Sequence, residues 1–172
     1  MKFRHIALAA GLALAGSAAS AEDFAVSVPF VAGAPGSWSA GFSVTHVFAG
    51  GFTDTFTFTP SLSGDVTASL VTTSFKDTTN IDFSSASVNG QAFTLTPNGL
   101  NEAGFFSSSP IIGPVVVTVK GFAGPTLADG SAISASYGGT ANLTAVPEPA
   151  TYGLLAAGLG VIGFLVRRRR TG

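Results

Sequence analysis

The sequence predicts an all-β fold, an antiparallel β-sandwich of the jelly-roll or immunoglobulin-like kind. Apolar and polar residues alternate over most of residues 22–145, as they do in strands that bury one face. Val, Thr and Phe are common there, whereas long helix-forming runs are missing. Clusters of Gly, Pro and Asn interrupt the alternation at short intervals, which is typical of a sandwich and unlike a βαβ fold.

Eight strands are predicted between these turn sequences. The clearest turn is Asn89-Gly90, which predicts a two-residue hairpin between its flanking strands. The alternation places the strands at residues 24–31, 38–48, 52–59, 66–75, 81–88, 91–96, 111–122 and 132–145.

The first 21 residues have the three parts of a secretory signal peptide. Lys2 and Arg4 form a basic start, and an apolar run follows at residues 6–16. That run is too short to span a membrane. Small residues then supply an Ala19-x-Ala21 cleavage pattern, so we expect signal peptidase to release a mature chain that begins at Glu22.

The C-terminal end predicts a processing site, a transmembrane helix and a stop-transfer cluster. Prolines on both sides of a glutamate continue neither a strand nor a helix, so this segment should be extended and accessible. Its residues are Val146, Pro147, Glu148 and Pro149. As a helix the uncharged run 150–166 is about 25 Å long, which spans a membrane only if Tyr152 lies at one interface and a basic cluster reaches the other, on the cytoplasmic side. The cluster consists of Arg167, Arg168, Arg169 and Arg170.

The Pro-Glu-Pro segment, the Gly-rich apolar run and the terminal arginines together resemble the PEP-CTERM sorting tail. In that family, the membrane enzyme exosortase recognises and cuts the tail. The resemblance implies a transient intermediate at the inner membrane, followed by transfer to the cell surface or extracellular matrix. It divides the chain into a signal peptide (1–21), a β-sandwich domain (22–145) and a sorting tail (146–172).

An aspartate interrupts a row of phenylalanines in the predicted strand 52–59. Phe52, Asp54 and Phe56 share one face, and a buried carboxylate is costly unless it is hydrogen-bonded. Phe-x-Asp-x-Phe between a signal peptide and such a tail resembles the FxDxF family of PEP-CTERM proteins. This resemblance implies a location rather than an activity.

The register of the predicted hairpin gives Asp54 a partner. A three-residue turn at 49–51 sets apolar residues of the two strands opposite each other, and it places His46 directly across from Asp54. We therefore expect Asp54 to bond to His46, or to nearby backbone amides, inside an apolar face. No nucleophile lies nearby in sequence, so we expect a structural pair rather than a catalytic dyad.

Charge and missing residue types exclude several classes of function. Residues 22–146 hold eight acids and only Lys76 and Lys120, a net charge of −6, which excludes nucleic-acid binding by the domain. The chain has no cysteine, and His46 is the one histidine after the signal peptide, so no cofactor and no zinc site are expected. A calcium-binding loop that includes Asp77 and Asp82 remains an alternative, although a solvated turn is favoured.

These observations favour an exported protein that is not an enzyme. The resemblance implies association with exopolysaccharide in a biofilm. Two alternatives remain open. A carbohydrate-binding or adhesive module with a specific ligand site would expose a cluster of aromatics, including Trp38 or Tyr137. A hydrolase would need two carboxylates that converge in one pocket.

Overall fold

The computed structural model describes residues 21–146 and 149–170 as a two-sheet β-sandwich followed by one helix. Most of its strands follow the alternation of apolar and polar residues along the chain, because successive side chains of a strand point to opposite faces. They are β1 (Ala25–Pro29), β2 (Val31–Ala32), β3 (Ser37–Phe48), β4 (Gly50–Thr59), β5 (Gly64–Thr73), β6 (Ile81–Val88), β7 (Gln91–Ala92), β8 (Thr94–Leu95), β9 (Asn101–Ile111), β10 (Val116–Ala123) and β11 (Ala132–Thr144). A 3₁₀ turn spans Asp77–Thr79, and helix α1 spans Pro149–Arg170.

The strands form a five-stranded sheet in the order β1-β4-β10-β6-β7 and a six-stranded sheet in the order β2-β3-β11-β5-β9-β8. The inward faces of the two sheets meet in one core in which Phe56, Phe58 and Leu143 are fully buried. Phe42 of the six-stranded sheet packs on Phe56 of the five-stranded sheet, with ring centroids 4.5 Å apart. The prediction of an all-β fold is confirmed.

The expected hairpin between β3 and β4 is wrong. β3 pairs with β2 and β11 in one sheet, whereas β4 pairs with β1 and β10 in the other. The chain crosses between the sheets at Ala49, which is completely buried. Alternation cannot separate the two arrangements, because two apolar rows can lie side by side in one sheet or face each other across a core.

The first strand departs from the expected antiparallel pattern. β1 runs parallel to β4, with Val26 opposite Phe56. The next strand, β2, joins the edge of the other sheet through Val31 and Ser39. The segment after the predicted cleavage site therefore contributes to both sheets at one side of the sandwich.

The Asn89-Gly90 hairpin is confirmed, whereas one strand was missed. Val88 pairs with Gln91, and both turn residues have positive φ, 46° at Asn89 and 83° at Gly90, as a tight two-residue turn requires. β9 lies in a stretch predicted as loop, because its Ser-rich, Pro-containing sequence lacks a regular apolar alternation. The predicted strand 111–122 is in fact the end of β9, a turn and β10.

Candidate functional site

Asp54 lies at the centre of the described domain with no exposed surface. It follows from the alternation in β4, where Phe52, Asp54 and Phe56 all face the core and the intervening threonines lie outward. A carboxylate in this position must find donors inside the protein, because water does not reach it.

Three donors from three segments of the chain bind the Asp54 carboxylate. The backbone N–H of Phe24 donates to Oδ1 at 2.9 Å. His46 Nε2 and the Tyr137 hydroxyl both donate to Oδ2, at 3.1 Å and 2.6 Å. We call these four residues the Asp54 clamp. Because His46 and Tyr137 belong to the six-stranded sheet and Asp54 to the other, the clamp joins the two sheets.

His46 is held between aromatic rings as well as by the carboxylate. Its ring stacks on Phe52 with centroids 4.1 Å apart, and Phe24 meets it edge-on at 5.5 Å. Its Nδ1 is buried and has no hydrogen-bond partner among the described residues, so Nε2 makes the ring's contact with Asp54. His46 thus meets Asp54 across the core, not across a hairpin as expected.

The hydrogen bond from Tyr137 to Asp54 was not predicted from the sequence. The carbohydrate-binding alternative requires exposed aromatics such as Tyr137, yet only 3% of this residue is exposed. Burial raises the pKa of the Tyr137 hydroxyl above its ordinary value of 10.0, and the neighbouring Asp54 carboxylate raises it further. The hydroxyl therefore remains a donor throughout the physiological pH range. The sequence feature that could have indicated its burial is its place in the inward-facing row of β11, together with Ala135, Ala141 and Leu143.

The segment just before β1 makes further hydrogen bonds to β4 beside the clamp. The Asp23 carboxylate accepts the N–H of Thr53 at 2.6 Å, and the carbonyl of Phe24 accepts the N–H of Thr55 at 2.8 Å. Glu22 is exposed and Ala21 is buried, while Ala19 lies outside the described residues. Residues 23 and 24 are thus structural parts of the domain.

Glu102 is a second buried carboxylate that joins the sheets, and no sequence pattern indicated this role. It lies on β9, and it accepts the N–H of Phe83 on β6 at 2.9 Å and that of Gly99 at 3.0 Å. Burial raises its pKa above the ordinary 4.5, and the nearby Asp82 raises it further, while the two N–H groups oppose this change. Glu102 was missed because its region was predicted as a loop.

The raised pKa of Glu102 predicts a specific pH dependence of stability. Between pH 4.5 and its raised pKa, the folded protein binds more protons at this site than the unfolded chain. The contribution of Glu102 to stability is therefore fully present below pH 4.5 and is lost as pH rises through that window. We expect the free energy of unfolding of the native protein, relative to Glu102→Gln, to fall over this range in urea titrations.

The matched control is Asp129→Asn, which removes an exposed carboxylate. A difference between the native protein and Glu102→Gln that stays constant with pH would contradict the prediction. A slope of the same size for Asp129→Asn would do so as well.

The described residues offer no metal centre and no catalytic dyad open to a substrate. Residues 21–146 and 149–170 contain no group of three or more His, Cys, Asp or Glu side chains that could hold a metal ion. His46 and Asp54 have no exposed surface, and the donors around Asp54 occupy both of its oxygens. The geometry of the clamp serves to connect strands.

The C-terminal segment forms helix α1, which begins at Pro149. Pro147 and Glu148 lie outside the described residues, and Val146 is exposed at the end of the domain. The described apolar side chains of α1 are exposed, among them Leu154 and Leu159. Arg167 is exposed as well; Arg168, Arg169 and Arg170 are the last residues of the helix.

The expectation that this helix crosses a membrane is not supported. Within the described part of the chain, no helix is both long enough and apolar enough to do so.

Residues 145–170 match the family model for the PEP-CTERM protein-sorting motif. The chain carries a PEP-CTERM sorting tail. Such a tail implies an exported protein that exosortase sorts to the cell surface. The match covers the segment that connects β11 to α1 and all of α1. This is the region whose Pro-Glu-Pro segment and arginines resemble such a tail.

Two further comparisons concern curated proteins and solved structures. No curated protein matches the sequence. Among solved structures, the chain is similar to PliG of Aeromonas hydrophila, a periplasmic lysozyme inhibitor of g-type lysozyme, with 15% identity and a TM-score of 0.33. That similarity covers 72% of this chain and 98% of PliG.

Proposed function

We propose that this protein is a non-enzymatic component of the cell surface or extracellular matrix, associated with exopolysaccharide in a biofilm. The match of residues 145–170 to the PEP-CTERM motif carries the proposal. In this view, signal peptidase removes residues 1–21, and exosortase processes the chain near Pro147-Glu148-Pro149 while it is held at the inner membrane. The β-sandwich, residues 22–145, is the part that reaches the surface.

The chemistry of the domain supports a role without catalysis. Its buried histidine and carboxylates are engaged in connecting the sheets, as in the Asp54 clamp and at Glu102. The outward face of the six-stranded sheet is rich in hydroxyl groups, such as the bonded pairs Thr45–Ser136 and Ser69–Thr140. A hydroxyl-rich sheet face suits a hydrated polysaccharide environment.

Processing can be tested by intact mass and cell fractionation of the native protein from its own cells. We expect a surface species that begins at Glu22 and lacks the residues after the Pro-Glu-Pro segment. In a strain without exosortase, and in a Pro147→Ala/Glu148→Ala variant, the tail should be retained. The control Thr144→Ala, an exposed substitution just before the motif, should be processed normally. If all surface protein in exosortase-containing cells kept residues 150–172, the proposal would be wrong.

A further inference from the structure

A cleft opens on the outer side of the six-stranded sheet where two of its strands separate. β5 and β11 are paired from Asp65–Thr144 up to Thr72–Tyr137. Beyond that point β5 turns away, while β11 continues along β3 as far as Ala132. The space between the diverging ends has a volume of about 380 Å³, which lies in the range of small-ligand sites.

Hydroxyl groups, one lysine and one phenylalanine line this cleft, which we call the hydroxyl cleft. Phe75 and Lys76 come from the loop after β5, and the hydroxyls come from both walls. The hydroxyl residues are Thr73, Ser74, Thr79, Ser134 and Ser136. Hydroxyls and an ammonium group can donate to the hydroxyl and ring oxygens of a sugar, and the serine and threonine oxygens can accept in return.

The loop that carries Phe75 and Lys76 is fixed by its own hydrogen bonds. The N–H of Ser74 donates to the carbonyl of Leu100 at 2.7 Å, and its hydroxyl donates to the carbonyl of Lys76 at 2.9 Å. The N–H of Thr79 donates to the same carbonyl at 3.0 Å, and its hydroxyl lies 2.8 Å from that of Ser74. A loop held in this way loses little further freedom when a ligand binds.

The floor of the cleft is the outward side of β11, the strand that carries Tyr137 of the Asp54 clamp. Ser136 faces the cleft, and its hydroxyl bonds to Thr45 at 2.7 Å, whereas the next residue, Tyr137, points inward to Asp54. The clamp therefore fixes the backbone beneath the cleft.

Phe75 presents a free aromatic face beside these polar groups. It is 93% exposed, the largest exposure of any large apolar residue described in the domain. A fully exposed phenylalanine contributes nothing to the core, but it offers a rigid apolar surface at a small cost in side-chain entropy. The C–H face of a pyranose ring can pack on such a surface while its hydroxyl rim bonds to the cleft.

The charge of the domain decides which class of saccharide fits. The net charge of −6 over residues 22–146 repels a polyanionic chain. Lys76 has no ion-pair partner among the described residues and can donate to a neutral oxygen. On the basis of the proposed association with exopolysaccharide, we propose that the hydroxyl cleft binds a neutral pyranose unit, with Phe75 against its apolar face and Lys76 at its hydroxyl rim.

A second concave region supplies matched controls. It lies on the five-stranded sheet, has a volume of about 360 Å³, and contains the domain's other lysine, Lys120, together with Phe122. Asp23 also lines it, and a methyl group at Gly51 would lie 3.4 Å from Phe122 Cζ, so that ring already covers the strand beneath it. Phe122 is 49% exposed.

The test is affinity electrophoresis of the full chain in gels containing dextran, hydroxyethylcellulose or galactomannan, with alginate as the polyanionic probe. We expect at least one neutral polysaccharide to retard the protein, and alginate not to do so. Phe75→Ala and Lys76→Ala should each weaken binding by about tenfold or more, as removal of a central contact does. Phe122→Ala and Lys120→Ala should bind like the native protein.

Several results would overturn the assignment. Absence of retardation by all three neutral polysaccharides would reject the site, as would loss of binding in Lys120→Ala or Phe122→Ala but not in Phe75→Ala. Stronger retardation by alginate would reject the neutral ligand. Thermal unfolding of Phe75→Ala should match that of the native protein because the side chain is exposed. Correct processing at the surface without saccharide binding would contradict only this inference and leave the sorting proposal intact.

Discussion

Asp54→Ala is expected to lower the free energy of unfolding by about 4 kcal/mol, since each buried donor left without a partner costs roughly 1–3 kcal/mol. The substitution removes the acceptor from the N–H of Phe24, from His46 Nε2 and from the Tyr137 hydroxyl at once. Domains of this size have stabilities of about 5–15 kcal/mol. Urea unfolding of the full chain should therefore show a variant close to the limit of folding.

A double-mutant cycle separates the clamp from general packing. Tyr137→Phe alone should cost about 1–2 kcal/mol, because it removes one hydrogen bond and keeps the ring. In the Asp54→Ala background the same change should cost much less, since its partner is already gone. Asp65→Ala is the matched control, because that strand aspartate is only half-buried and makes no side-chain hydrogen bond among the described residues. Additive costs for Asp54 and Tyr137, or equal costs for Asp54 and Asp65, would contradict the clamp.

Gly139→Ala is expected to destabilise the domain by about 3 kcal/mol, at the upper end of the cost of overpacking. Gly139 lies on β11 between β3 and β5, opposite Phe42 and Leu70. A methyl group there would overlap the carbonyl oxygen of Ser69 and lie 2.5 Å from Phe42 Cζ. The central strand of the six-stranded sheet would have to move away from its neighbour.

The same contacts predict how far the defect can be relieved. Phe42→Leu removes the ring end that the new methyl group meets, but the overlap with the Ser69 backbone remains. Thermal unfolding should therefore show partial recovery in the double variant, measured against Phe42→Leu alone. Gly99→Ala is the control, because a methyl group at Gly99 meets nothing within 4 Å. A Gly139→Ala protein as stable as Gly99→Ala would contradict the prediction, and so would complete recovery.

The sequence and the structure agree where a feature depends on neighbouring residues. The alternation in β4 predicts the buried row of Phe52, Asp54 and Phe56, and the Asn89-Gly90 turn predicts its hairpin. They differ where a feature depends on which strands meet. His46 reaches Asp54 across the core, a contact that the expected hairpin register also produced, but for the wrong reason.

The remaining parts of the site have no local signal. Tyr137 lies 83 residues from Asp54 in the chain, and Glu102 bonds to a strand of the opposite sheet. The hydroxyl cleft exists because β5 leaves β11 after Thr72, and the local sequence does not indicate where two neighbouring strands separate. The alternation predicts Phe75 as the end of the strand 66–75, whereas β5 ends at Thr73, and it gives no indication of the wall that faces Phe75 and Lys76.

The Asp54 clamp makes completion of the domain depend on its two ends. Asp54 binds Phe24 near the beginning of the domain. It also binds Tyr137 in the last strand, which lies 83 residues after Asp54 in the chain. Because a chain is made from its N-terminus, the Asp54 carboxylate lacks the Tyr137 hydroxyl as a donor until β11 has been made. A product truncated before Tyr137 cannot bury that carboxylate at low cost and stays open to proteases. The segment that matches the PEP-CTERM motif begins at residue 145, directly after β11. Closure of the clamp therefore requires the chain to be complete through Tyr137, which precedes the sorting segment.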